Sequence, residues 1–157
     1  MICKYSKMLL LAFGLTAIPG VQAGNLIQAV HEGDIEPLKI MLNVANDINQ
    51  LGGSWTEHGS TKMYFNRGSA LHYAVHQGRE DLVRLLINHG ATIDVRDEND
   101  FTPLHSAAWA GNLSMVKFLI ESGADVQASN RFEDTPLSRA LDNNRTEVVE
   151  YIRAILQ

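Results

Sequence analysis

The chain has 157 residues, the size of one domain, and carries 13 Lys and Arg against 18 Asp and Glu for a net charge of −5. That acidic balance argues against nucleic acid or an anionic membrane surface as partner, since both demand an excess of cations.

The N-terminal segment has its own chemistry. Lys4 and Lys7 precede an apolar run over 8–18, Pro19-Gly20 break it, and Val21-Gln22-Ala23 places small residues before Gly24. A basic start, a run of this length and a small-x-small site predict a secretory signal over 1–23, cleaved before Gly24. The run is short for a bilayer span. Cleavage removes Lys4, Lys7 and the sole cysteine, Cys3, taking the net charge from −5 to −7. Residues 24–157 then have no thiol, and so no disulfide framework, thiolate nucleophile or Cys-based metal site. An exported domain built without disulfides favours the bacterial periplasm, with periplasmic or secreted localisation expected.

Residues 24–157 read as one repeat domain. The first copy, over 24–50, is degenerate: Ala29-Val30, Gly33, Leu38, Ile40-Met41-Leu42, then Asn46-Asp47-Ile48-Asn49. An inserted loop within 50–68 follows, 12 residues longer than the repeat spacing allows, with Gly52, Gly53 and Gly59 beside Trp55, Met63, Tyr64 and Phe65. Its aromatics suit either a contact element or a cover over the first repeat's core. The second and third copies, over 67–96 and 97–129, fix the period. Leu71 and Leu104, His72 and His105, Gly78 and Gly111, and Gly90 and Gly123 each lie 33 apart. A constant spacing of this length predicts an all-α solenoid of four helix-turn-helix repeats with short hairpin turns. In the third copy Thr102 is placed to cap a helix, with Pro103 at its first position and Gly111 at its end. The fourth copy, over 130–157, keeps Thr135-Pro136-Leu137, has Ser138 where histidine stood, and puts Asn144 where Gly78 and Gly111 stood.

The run Thr102-Pro103-Leu104-His105, the period and the helix-end glycines resemble the ankyrin repeat family. The resemblance covers nearly all of 24–157. It implies a non-catalytic module that binds protein through its turn tips and the exposed side of each first helix. By that alignment the contact positions include Arg67, Glu98, Asn99, Phe101, Arg131, Phe132 and Asp134 on the turns, with His31, His76, Gln77, Trp109 and Asp142 on the helices. Trp55 and Tyr64 of the inserted loop form a rival surface. Trp109 and Phe101 are the expected anchors, large aromatics with charged neighbours. The resemblance also implies that His72 and His105 bond the backbone of the adjacent turn.

Chemistry of other kinds finds little support. No phosphate loop, nucleophile elbow or zinc-protease helix motif is present, and paired carboxylates such as Asp97/Glu98/Asp100 fall in turns. His72 and His76 have a zinc-compatible spacing but no evident third ligand. No metal, cofactor or catalytic residue is expected. The expected role is a protein partner of unknown identity for this domain, acting as a monomer or hetero-complex. Secreted proteins with this resemblance suggest an accessory or immunity-type role toward another exported protein. The alternatives are a structural envelope protein, or a small hydrolase using His31, His58 and His76.

Overall fold

A computed structural model describes residues 23–33, 35–44, 47–52 and 68–157, without the side chains of 23–25, 31, 32, 37 and 44. The expected signal core over 8–18, and loop residues Trp55, His58, Tyr64 and Arg67, lie outside the described residues.

The described helices come in pairs: α1 (Ala23–Glu32) with α2 (Ile35–Val44), α3 (Ala70–His76) with α4 (Glu80–Asn88), α5 (Pro103–Ala110) with α6 (Leu113–Glu121), and α7 (Pro136–Asp142) with α8 (Thr146–Leu156). No strand occurs among the described residues. The odd-numbered helices form an inner row, each packed on the next, and the even-numbered ones an outer row. Ala74, Ala107, Ala108 and Ala140 are at most 0% exposed, and these small side chains let the inner helices approach closely. Larger residues fill the space between rows: Leu71, Leu82, Leu86, Leu104, Met115, Leu119 and Ile152 are all buried.

Local chemistry sets the helix boundaries. Thr102 and Thr135 hold extended backbone ahead of Pro103 and Pro136, where a missing amide costs nothing. Gly111 ends α5 at φ 78°, and Asn144 takes its counterpart after α7 at φ 57°, the left-handed region that asparagine tolerates best after glycine. Two cations tie successive outer helices together in the same register. The Arg84 guanidinium lies 4.1 Å from the Phe118 ring centroid, and the Lys117 ammonium 5.3 Å from that of Tyr151.

Candidate functional site

The inner helices and the hairpin tips between repeats make one continuous edge, and two tips are fully described. In the first, Asp97 Oδ1 accepts the amides of Asn99 at 2.8 Å and Phe101 at 2.9 Å, while the Asp97 amide donates to the Phe101 carbonyl at 3.0 Å. The second repeats this with an asparagine: Asn130 Oδ1 accepts Phe132 N–H at 2.8 Å and Asp134 N–H at 2.9 Å, and Asn130 N–H donates to Asp134 O at 3.1 Å. One side-chain oxygen therefore organises each tip, and the sharp reversal falls on Asp100 and Glu133 at φ 64° and 65°. Burial pushes the Asp97 carboxyl above its usual range, although the two amides pull it down. The tips also join each other, Arg131 N–H donating to Asn99 O at 3.3 Å.

Each tip is anchored to the preceding inner helix by a buried histidine. His72 Nε2 lies 3.0 Å from the Phe101 carbonyl oxygen, and His105 Nε2 lies 3.1 Å from that of Asp134. Both rings have the backbone partner that the resemblance implied. His72 is thereby removed from any zinc pair with His76.

On this frame the expected contact residues take different positions. Phe132 is 61% exposed at the second tip. Phe101 is half-buried: its ring centroid is 6.4 Å from that of Phe132, meets His105 edge-on at 5.6 Å, and lies 5.2 Å below the Arg139 guanidinium. Phe101 therefore both supports the stack and flanks the exposed ring. Trp109 is half-buried on α5. Its carbonyl accepts a hydrogen bond from Arg145 Nε at 3.0 Å. His76, Gln77 and Asp142 are exposed at the ends of α3 and α7, Glu98 is half-buried, and Arg131 is exposed with Nε 3.9 Å from Asp100 Oδ2. Asn99 departs from expectation. It is 8% exposed, because its backbone is held between Asp97 and Arg131, so it shapes the tip and offers little surface to a partner. The side chain of His31, with Trp55 and Tyr64, lies outside the described residues.

Two arginines important to this edge were not among the expected contacts. Arg139 stands over Phe101 with Nη1 3.8 Å from Asp134 Oδ2 and a buried Nε that has no hydrogen-bond partner. The repeat register was the available signal, since Arg139 occupies the counterpart of Ser106 and Tyr73. Arg96 donates from Nη1 to Ser129 O at 2.8 Å, bracing one tip against the next. Among the described residues, no group of three or more His, Cys, Asp or Glu could hold a metal ion, and no helix is long and apolar enough to cross a membrane.

Comparison with known proteins agrees with the repeat fold. A family model described as ankyrin repeats in three copies matches residues 26–130, and one described as ankyrin repeats in many copies matches 110–153. The chain is similar to the E3 ubiquitin-protein ligase hecd-1 of Caenorhabditis elegans, at 35% identity over 87 residues. It is also similar to the 2-5A-dependent ribonuclease of Mus musculus, at 37% identity over 79 residues. The matches cover 47% and 50% of this chain but only 3% and 9% of those proteins. What is shared is therefore a stretch of repeats within much longer polypeptides.

Proposed function

The chain belongs to the ankyrin repeat family, whose repeats are protein-interaction modules, and on that premise we propose a non-catalytic binding role in the bacterial periplasm. The domain acts there as an accessory or immunity-type partner of another exported protein. One observation carries the binding reading: Phe132, 61% exposed, sits on a hairpin tip whose backbone is fixed by Asn130 and stands beside the Phe101 ring. A large apolar ring carried on a fixed backbone loses little backbone entropy on binding, which is how preorganised anchors gain affinity. Export is supported by Lys4, Lys7, the apolar run over 8–18 and the Val21-Gln22-Ala23 site.

Cross-linking in periplasmic extract, followed by identification of the captured protein, tests the binding role. Capture should be lost when Trp109→Ala and Phe101→Ala are combined, and in Phe132→Ala alone, with the helical circular dichroism signal retained. Replacing 52–64 by a short glycine-serine turn examines the rival loop surface. Unchanged capture by all of these folded variants would reject the edge of inner helices and tips and the loop together. N-terminal sequencing of protein from the native envelope should start at Gly24, and an intact residue 1 would remove the export reading.

A further inference from the structure

The two buried histidines have a defined protonation state that follows from their partners. The Ser69 amide donates to His72 Nδ1 at 3.2 Å, and the Thr102 amide donates to His105 Nδ1 at 3.1 Å. A backbone amide can only donate, so neither Nδ1 carries a proton. The single ring proton must then sit on Nε2, where it is donated to Phe101 O and Asp134 O. The hydroxyls of Ser69 and Thr102, 3.0 and 2.9 Å from the same Nδ1 atoms, complete the acceptor site. Each neutral ring is thus a bridge between a helix start and the tip of the following hairpin.

A second proton is opposed by this arrangement. On Nδ1 it would displace the amide hydrogen already bonded there, in sites only 2% and 1% exposed where water cannot take that amide over. The hydroxyl oxygen beside Nδ1 can accept the new proton only with the amide left unbonded. Above the latched pKa, protonation therefore favours the ring that has left its cradle, and the carbonyl it held goes free with it. The same event strikes both tips, because the bridge recurs with the repeat. We propose that protonation of His72 and His105 unlatches the two hairpin tips, so that the edge carrying Phe101 and Phe132 is formed at neutral pH and withdrawn in acid. This regulation rests on the binding role proposed above for that edge.

The surroundings set the pH window. Burial lowers the His72 pKa to about 4, against the pull of the Phe101 carbonyl, and among the described residues no charged side chain acts on it appreciably. Burial also lowers that of His105; Arg139 on α7 and Arg96 before the tip add to this, while the Asp134 carbonyl and carboxylate oppose it. A released ring titrates near 6.5. Since the folded pKa lies below the released value, the latch has full strength above about pH 6.5 and loses it as pH falls toward about 4. Asp97, in the first tip, has the opposite sign: its raised pKa means that acid relieves its buried charge. It therefore cannot produce an acid-driven opening.

Amide hydrogen exchange on the full chain, corrected for intrinsic rates, tests the latch without any partner. For His72, a released pKa near 6.5 and a latched one near 4 predict that opening of 97–102 becomes roughly thirtyfold more populated between pH 7.5 and 5. The 130–135 tip should open in the same direction, while the core amides of α6 keep their protection. Glutamine presents a donor where Nε2 stands and does not titrate, so His72→Gln with His105→Gln should abolish the pH response. Should that variant not fold at pH 7.5, imidazole nitrogen shifts of the unaltered chain decide: tip opening must follow ring protonation. Exchange that is flat from pH 7.5 to 5, or a response that survives in folded glutamine variants, would overturn the latch. A responsive tip with no protein captured at pH 7.5 would instead reject the binding role alone.

Discussion

Substituting Gly111 by alanine separates two costs that the structure places at one position. Gly111 has φ 78°, and an L side chain in that region is strained by about 1–2 kcal/mol. An added Cβ would also stand 2.6 Å from Arg145 Cδ, 3.1 Å from its Nε and 3.2 Å from its Cγ, all well inside contact distance. The arginine must move, and its Nε then loses the Trp109 carbonyl at 3.0 Å, one of the last acceptors of α5. For a half-exposed cation that bond contributes about 1 kcal/mol. Gly111→Ala should therefore cost about 2–3 kcal/mol. Gly90→Ala is the control: φ is 92° and nothing lies within 4 Å of the new methyl, so only the backbone term of about 1–2 kcal/mol remains. In an Arg145→Ala background, Gly111→Ala should fall to the Gly90→Ala value, giving a coupling of about 1 kcal/mol. Urea denaturation followed by far-ultraviolet circular dichroism measures all four variants. Equal costs for the two glycines, or a Gly111→Ala cost indifferent to Arg145, would refute the inter-repeat cap.

Three further outcomes follow from the same geometry. Leu104→Ala and Leu119→Ala, at residues that are 0% exposed, should each cost about 2–5 kcal/mol in the same denaturation assay, and a loss under about 1 kcal/mol would show that these leucines do not fill the core. Phe132→Ala should leave stability within about 0.5 kcal/mol, whereas Phe101→Ala should lose about 1–2 kcal/mol because its ring packs on His105. Equal losses would mean that the tip rings share one structural role. Asp97→Asn copies the natural Asn130 and should be tolerated at pH 7, within about 1 kcal/mol and on the stabilising side, since both tip amides keep their acceptor. Because the folded Asp97 pKa is raised, its favourable contribution exists at acid pH and is lost as pH rises through that value; the advantage of asparagine should accordingly vanish in acid. A loss of several kcal/mol at pH 7 would contradict this account.

The sequence by itself determined the repeat, the helix ends and the capping chemistry. Thr102-Pro103-Leu104-His105, Gly111 and the counterpart Asn144 encode bonds made within a few residues, or repeated at a fixed interval of 33. Short-range chemistry of that kind depends little on what else the chain does. The tertiary structure alone decided which side of each tip meets water. Asn99 and Phe132 are counterparts in the repeat, yet one is 8% and the other 61% exposed. Only Phe132 stands at the end of the described tips, whereas Asn99 is covered by the next one through Arg131. Likewise Arg139 over Phe101, Arg145 on the Trp109 carbonyl and Arg79 Nη2 at 3.5 Å from Gly33 O join residues 36–46 apart, so far as the last two are concerned, and 38 apart for the first. A flexible arginine has many acceptors within its reach, and sequence spacing does not choose among them. The choice falls when neighbouring repeats stack and bring one repeat's carbonyl or ring within reach of the next repeat's arginine.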